Sequence, residues 1–224
     1  NTDGYDKAKA TCDALAKALD IKSEEVIVAS TGVIGQPLPL EPIISGIPKL
    51  IDELSNSEQA SDNAANAIMT TDTVKKEVAY SFNIGEKEVK IAGIAKGSGM
   101  IEPNMATMLC FITTDVCITP KMLQKALSTA VSDTFNMVSV DGDTSTNDTV
   151  TVMASGLAGN DMIDSENADY EAFLCALMTL CQSMAKKIAA DGEGATKLLE
   201  CQVVNFDEMC GAKKLAKSVI RSSL

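Results

Sequence analysis

The stretch KKEVAYSFNIGEKEVKIAGIAKG, residues 75–97, decides the fold. Apolar and polar residues alternate on both sides of Gly85, with Val78, Tyr80 and Phe82 before it and Val89 and Ile91 after it. A period of two is the signature of a strand with one buried face. A glycine between two such runs supplies the positive φ that a tight turn demands. The stretch therefore predicts an antiparallel β-hairpin.

Downstream comes GSGMIEPNMATMLCFITTD, residues 97–115. It opens with glycines and a proline, then turns into an apolar run that predicts a strand from Met108 to Thr113. Upstream, EEVIVASTGVIGQPLP, residues 24–39, predicts a short strand, Val26 to Ala29, running into a glycine-rich turn. Further strands are predicted at both ends of MVSVDGDTSTNDTVTVMAS, residues 137–155, and in LLECQVVNF, residues 198–206. Ala8, Cys12, Leu15 and Leu19 have helical spacing within residues 3–19. Other helices are predicted over 41–54, 57–69, 167–190 and 207–222, and from Pro120 to about Phe135. Proline suits the first turn of a helix, where its missing N–H costs nothing. The strands do not follow a βαβ rhythm, so the expected class is α+β, with mixed or antiparallel sheets packed against helices in layers. No repeat or linker marks a domain boundary.

Composition narrows the chemistry. The chain has 224 residues, 46% of them hydrophobic, enough for a sizeable core. Its 19 basic and 31 acidic residues give a net charge of −12, which repels phosphate backbones, so no nucleic-acid partner is expected. No apolar run reaches the roughly 18 residues of a membrane span, so none is expected. The first residues, NTDGYDKAKATC, are too polar for a signal peptide. Histidine is absent, which excludes Ser-His-Asp and Cys-His catalysis, His-ligated zinc and His-ligated haem within this chain. The seven cysteines are odd in number and form no CxxC, and they read as reduced residues of an intracellular protein.

Several residues carry a functional reading beside a plainer one. KGSGM has only two glycines and precedes no evident helix, so it is a poor phosphate loop. In STGVIG, glycines let backbone amides approach a ligand, or simply allow a tight turn. SVDGDTSTNDTV places Asp141, Asp143, Ser145 and Asn147 at alternate positions, as a calcium loop does. Thr146 replaces the required glycine and Val152 the required glutamate, which favours a hydrogen-bonded turn, and no metal is expected. Glu193 lies between glycines in DGEGATK, either solvated or projecting into a cleft. Lys96 ends the hairpin, and Thr70, in AIMTTDT, ends a helix or sits in a turn. Thr107 is either the first residue of a strand or a nucleophile. Without histidine, its base would be its own α-amine, freed by cutting the bond before it.

Taken in order, STGVIGQPLP, KGSGMIEPNMATMLCFITTD, SVDGDTSTNDT and DGEGATK resemble glutamate N-acetyltransferases, also called ornithine acetyltransferases, of arginine biosynthesis. The likeness runs through nearly the whole chain. It implies a self-processing enzyme of N-terminal-nucleophile type, related in fold to self-cleaving aminopeptidases. It implies cleavage between Ala106 and Thr107, giving an α-chain portion of residues 1–106 and a β-chain portion of residues 107–224, assembled as α2β2. Thr107 would be the nucleophile, Thr31 and Gly32 the oxyanion hole, and Thr70, Lys96, Thr107 and Glu193 the substrate contacts. The expected reaction moves the acetyl group of N-acetylornithine to glutamate, with no cofactor. Some family members also take acetyl from acetyl-CoA, and no motif here decides that point.

Glu102 stands where family members commonly carry histidine. Against the family's pattern, N-terminal and C-terminal parts are expected beyond this chain. The implied location is the cytoplasm, or the mitochondrial matrix in a eukaryote. Two alternatives stay open at this point: a self-processed aminopeptidase-like hydrolase that hands its acyl group to water, and a non-catalytic binding paralogue.

Overall fold

The structure is a computed structural model that describes residues 2–101 and 108–222. The predicted hairpin is present. Strand β1 (Lys76–Ile84) pairs antiparallel with β2 (Lys87–Lys96), in a register that sets Tyr80 opposite Ile91 and Phe82 opposite Val89. Gly85 closes the turn at φ 57°, a conformation that an L side chain rarely adopts. Strand β3 (Leu109–Thr114) adds antiparallel to β2, and β4 (Thr149–Ala154) adds parallel to β3. The sheet is four-stranded and mixed, in the order β1-β2-β3-β4.

The helices are α1 (Gly4–Leu19), α2 (Glu41–Asp52), α3 (Glu58–Ala67), α4 (Pro120–Asp133), α5 (Ala168–Ala190) and α6 (Met209–Ile220). Helix α4 is the crossover between β3 and β4, the one parallel connection in a sheet otherwise built of antiparallel neighbours. The side chain of Thr119 caps it, accepting from the Met122 N–H, and Pro120 fills its first turn. Asn167 caps α5 in the same way through the Tyr170 N–H.

The α-plus-β class read from the sequence is the observed one. Helix α5 buries Tyr170, Phe173, Leu177, Leu180, Met184 and Ile188. Each such side chain contributes about 1.5–3 kcal/mol when fully removed from water. The helix lies on the sheet face that carries Val89, Ile91 and Gly93: a Cβ on Gly93 would stand 3.3 Å from both Ile112 and Leu180. Glycine there lets helix and strand close together. The Tyr80 hydroxyl also donates to the Ala176 carbonyl of α5. By length and apolar composition α5 could cross a membrane, which a search for unbroken apolar runs misses, but its apolar stripe is buried in this core.

Three predicted strands are not strands. Residues 26–29 and 198–206 are extended or irregular, without a ladder partner among the described residues. Met137 ends a 3-10 turn, Phe135–Met137, and residues 138–140 form no ladder among the described residues, although the Val140 N–H donates to the Ile101 carbonyl. An apolar run states only a preference. A strand also needs a neighbouring edge to satisfy its N–H and C=O groups.

Two compact units make up the chain, residues 1–64 and 65–224, with the boundary inside α3. In the first, α1 packs with α2, and the Lys7 ammonium donates to the Leu38 carbonyl at 2.7 Å. The second holds the sheet and α4–α6. This division differs from the expected 106/107 boundary, which concerns cutting the chain and not packing.

Candidate active site

Strand β2 ends at Lys96, and the chain then runs through Gly97-Ser98-Gly99-Met100-Ile101. Gly97, Ser98, Met100 and Ile101 are each hydrogen-bonded from another part of the second unit. The Gly97 N–H donates to Asp72 Oδ1 at 2.7 Å. Ser98 shares a 2.5 Å hydroxyl contact with Thr71, and its carbonyl accepts the Glu193 N–H at 2.6 Å. Gly99 lies so close to Glu193 that a Cβ there would run into its Oε2. The Asp141 carboxylate accepts the N–H groups of Met100 and Ile101 at 2.5 and 2.9 Å.

The chain is pinned again at Met108, whose N–H donates to Asp148 Oδ1 at 2.9 Å and whose carbonyl accepts the Thr149 N–H at 3.0 Å. The loop read as a calcium-like pattern thus uses its carboxylates to cap backbone. Asp141 also accepts the Asp143 N–H, and Ser145 Oγ accepts the Asn147 N–H. Among the described residues, no group of three or more His, Cys, Asp or Glu is arranged to hold a metal.

The structure brings three of the candidate substrate residues to this run. Lys96 is buried, 3% exposed, and its ammonium has no hydrogen bond or ion pair to a described residue. Burial lowers its pKa, against the attraction of Asp72 and Asp148. Exposed Thr70 donates its N–H to Asp72 Oδ2 at 3.2 Å, on the carboxylate that also holds Gly97. Glu193 is exposed on the loop after α5. Thr31 and Gly32 belong to the first unit, half-buried and exposed respectively, just before a turn closed by the Gln36 N–H on the Val33 carbonyl. Ala106, Thr107 and Glu102 lie outside the described residues.

Sequence reading missed the groups beneath these residues. The Lys76 ammonium, 0% exposed, donates to Asp72 Oδ1 at 2.5 Å and to Asp191 Oδ2 at 2.6 Å. Burial pushes both carboxyls up, but their donors outweigh it and hold both below the usual range: Gly97 N–H, Lys76 and Thr70 N–H for Asp72, and Lys76 and Thr73 for Asp191. One signal was legible. Lys76 shares the inward positions of β1 with Val78, Tyr80 and Phe82, and a lysine on an apolar face needs a buried partner.

Asp148 is the other missed group. Its second oxygen is buried without a hydrogen-bond partner among the described residues. Burial raises its carboxyl to about 6, against the pull of the Met108 N–H and Lys96. A buried cation and a half-satisfied carboxylate therefore stand together where the chain enters and leaves residues 102–107.

These features define an α+β protein whose sheet ends in a polar site built on lysine and carboxylates, with no histidine. The ArgJ family model matches residues 1–224, and the chain belongs to the ArgJ family. The arginine biosynthesis bifunctional protein ArgJ 1 of Clostridium acetobutylicum is 53% identical over 222 residues, covering 99% of this chain and 54% of that protein. The arginine biosynthesis bifunctional protein ArgJ of Lactococcus lactis is 51% identical over 221 residues, covering 99% and 55%. A crystal structure of the ArgJ protein of Bacillus halodurans matches with a TM-score of 0.48 and 49% identity, over 50% of this chain and 53% of that one. The chain spans about half the length of the curated relatives it matches. The family expected from the ordered motifs is the family found.

Proposed function

We propose that the full-length protein containing this chain transfers the acetyl group of N-acetylornithine to glutamate, through an acetyl ester on Thr107. The observation that carries this reading is the convergence of Thr70, Lys96 and Glu193 on residues 97–101, with the chain pinned on either side of 102–107 by Asp141 and Asp148. Family membership supports it independently.

The chemistry begins with self-cleavage. The Thr107 hydroxyl attacks the Ala106 carbonyl, the Ala106–Thr107 amide becomes an ester, and the α-amine of Thr107 is released. Water then opens the ester, giving a carboxylate on Ala106 and a free Thr107. In turnover, that amine takes the hydroxyl proton as the oxygen attacks the acetyl carbonyl. An α-amine titrates near 7.7–8.0, roughly matched to neutral pH. By the family's motif the Thr31 hydroxyl and Gly32 N–H would be the oxyanion donors, and one such donor typically contributes about 3–4 kcal/mol. Lys96 pairs with a substrate carboxylate, and Glu193 with the side-chain ammonium of ornithine. Ornithine leaves with the proton, and glutamate's amine then takes the acetyl group from the ester.

In this reading residues 1–106 and 107–224 end up in different chains that stay associated as α2β2, in the cytoplasm, and no cofactor takes part. Two substrates sharing one covalent site give ping-pong kinetics. The test is initial-rate assay of the full-length protein with both substrates varied. Parallel double-reciprocal lines are expected, with acetyl recovered on glutamate. Acetate release that glutamate does not affect would mean a hydrolase instead.

A further inference from the structure

The ammonium of Lys76 has three N–H donors, and the structure gives it three acceptors: Asp72, Asp191 and the Val74 carbonyl, at 2.5, 2.6 and 3.4 Å. The side chains of Lys76, Asp72 and Asp191 are 0%, 0% and 5% exposed. Burying an ion pair is a poor route to stability, because desolvation offsets most of the Coulomb gain. What such a cluster fixes well is geometry, since every charge must keep its partners.

The partners here are telling. Asp72 accepts from the N–H of Thr70 itself and from the N–H of Gly97, the residue after Lys96. Asp191 accepts the Thr73 N–H at 3.0 Å and also the Thr73 hydroxyl, and it stands two residues before Glu193. Thr73 and Asp191 are 118 residues apart in the chain. One buried lysine thus joins three segments, each bearing a candidate substrate contact.

We propose that the Asp72–Lys76–Asp191 triad is a positioning device for substrate, which holds Thr70, Lys96 and Glu193 in one register and thereby sets affinity for both amino-acid substrates. This rests on the acetyl-transfer reading above. The triad touches no substrate. It acts through the backbone at residues 70, 97 and 191–193, and displacement of a contact by about 1 Å is enough to weaken a site severely.

The test uses the full-length protein with Asp72→Asn, Asp191→Asn and, as a milder change, Thr73→Val, which removes only the hydroxyl donor to Asp191. KM for N-acetylornithine and for glutamate, kcat, and melting temperature are measured for each. The two Asn variants are expected to raise both KM values on the order of tenfold, with a smaller loss in kcat. Thr73→Val is expected to raise both by a smaller factor. A purely structural cluster would lower the melting temperature and the active fraction while leaving both KM values unchanged, and that result overturns the proposal. If neither Asn variant folds, Thr73→Val decides by the same criterion. Wild-type transfer between the two substrates is the control. Its absence defeats the functional reading, whereas wild-type transfer with unchanged KM in the variants defeats the role of the triad.

Discussion

Two sets of buried carboxylates lie close together in the second unit, and they are treated in opposite ways. Asp72 and Asp191 share one lysine and collect backbone N–H groups, and their carboxyls sit below the usual range. Asp148 has one oxygen on the Met108 N–H and the other buried without a hydrogen-bond partner among the described residues, and its carboxyl is raised to about 6. A fold built only for stability would satisfy both. The satisfied pair lies beneath the residues read as substrate contacts. The other, just before β4, holds the N–H of Met108 at the entry to β3, and Met108 follows Thr107 in the sequence. The contrast separates a scaffold from a place where polar capacity is left over.

Lys76→Met is the harshest way to break the scaffold. It leaves two buried carboxylates without their cation, and a loss of about 3–5 kcal/mol in unfolding free energy is expected by denaturant titration. Acid titration sharpens the comparison next, because the two sets have opposite signs. The lowered carboxyls of Asp72 and Asp191 stabilise the fold above the unfolded value of roughly 3.9, and that contribution is lost as pH falls through their folded values. The raised carboxyl of Asp148 works the other way: its folded form holds the proton more tightly, so its contribution is full at low pH and is lost as pH rises through about 6. Stability should therefore rise slightly as pH drops from 7 toward 5, then fall below roughly 4. Asp148→Asn keeps an acceptor for the Met108 N–H and should abolish the rise without lowering stability at pH 7. A rise that persists in Asp148→Asn would reassign it to another group.

The smallest effect expected is that of Gly99→Ala. The added methyl would meet the end of the Glu193 side chain, which can swing aside, so stability should change by less than about 1 kcal/mol. If Glu193 binds the ornithine ammonium, KM for N-acetylornithine should rise while KM for glutamate changes less.

What was legible in the sequence followed from local rules. The hairpin around Gly85, β3 and β4, and helices α1, α4 and α5 declare themselves by period, glycine and caps. The strands expected at 26–29 and 198–206 failed because pairing is not local: nothing in VIVA or QVVNF states which edge would receive it. The site divided in the same way. Lys96 and Glu193 were visible through their glycine-rich neighbours, but Asp191 became meaningful only when folding brought it against Lys76, 115 residues away in sequence. Asp148 looked like one more polar residue of a loop, because its burial is set by the sheet it precedes.

The central claim is that the Ala106–Thr107 bond is one this protein cuts for itself, and intact mass with N-terminal sequencing of the active full-length protein tests it directly. The account predicts two polypeptides, one ending at Ala106 and one beginning at Thr107, and a single uncut chain for Thr107→Ala. A fully active wild-type protein that stays in one piece, or a Thr107→Ala variant that still separates at that bond, would contradict it.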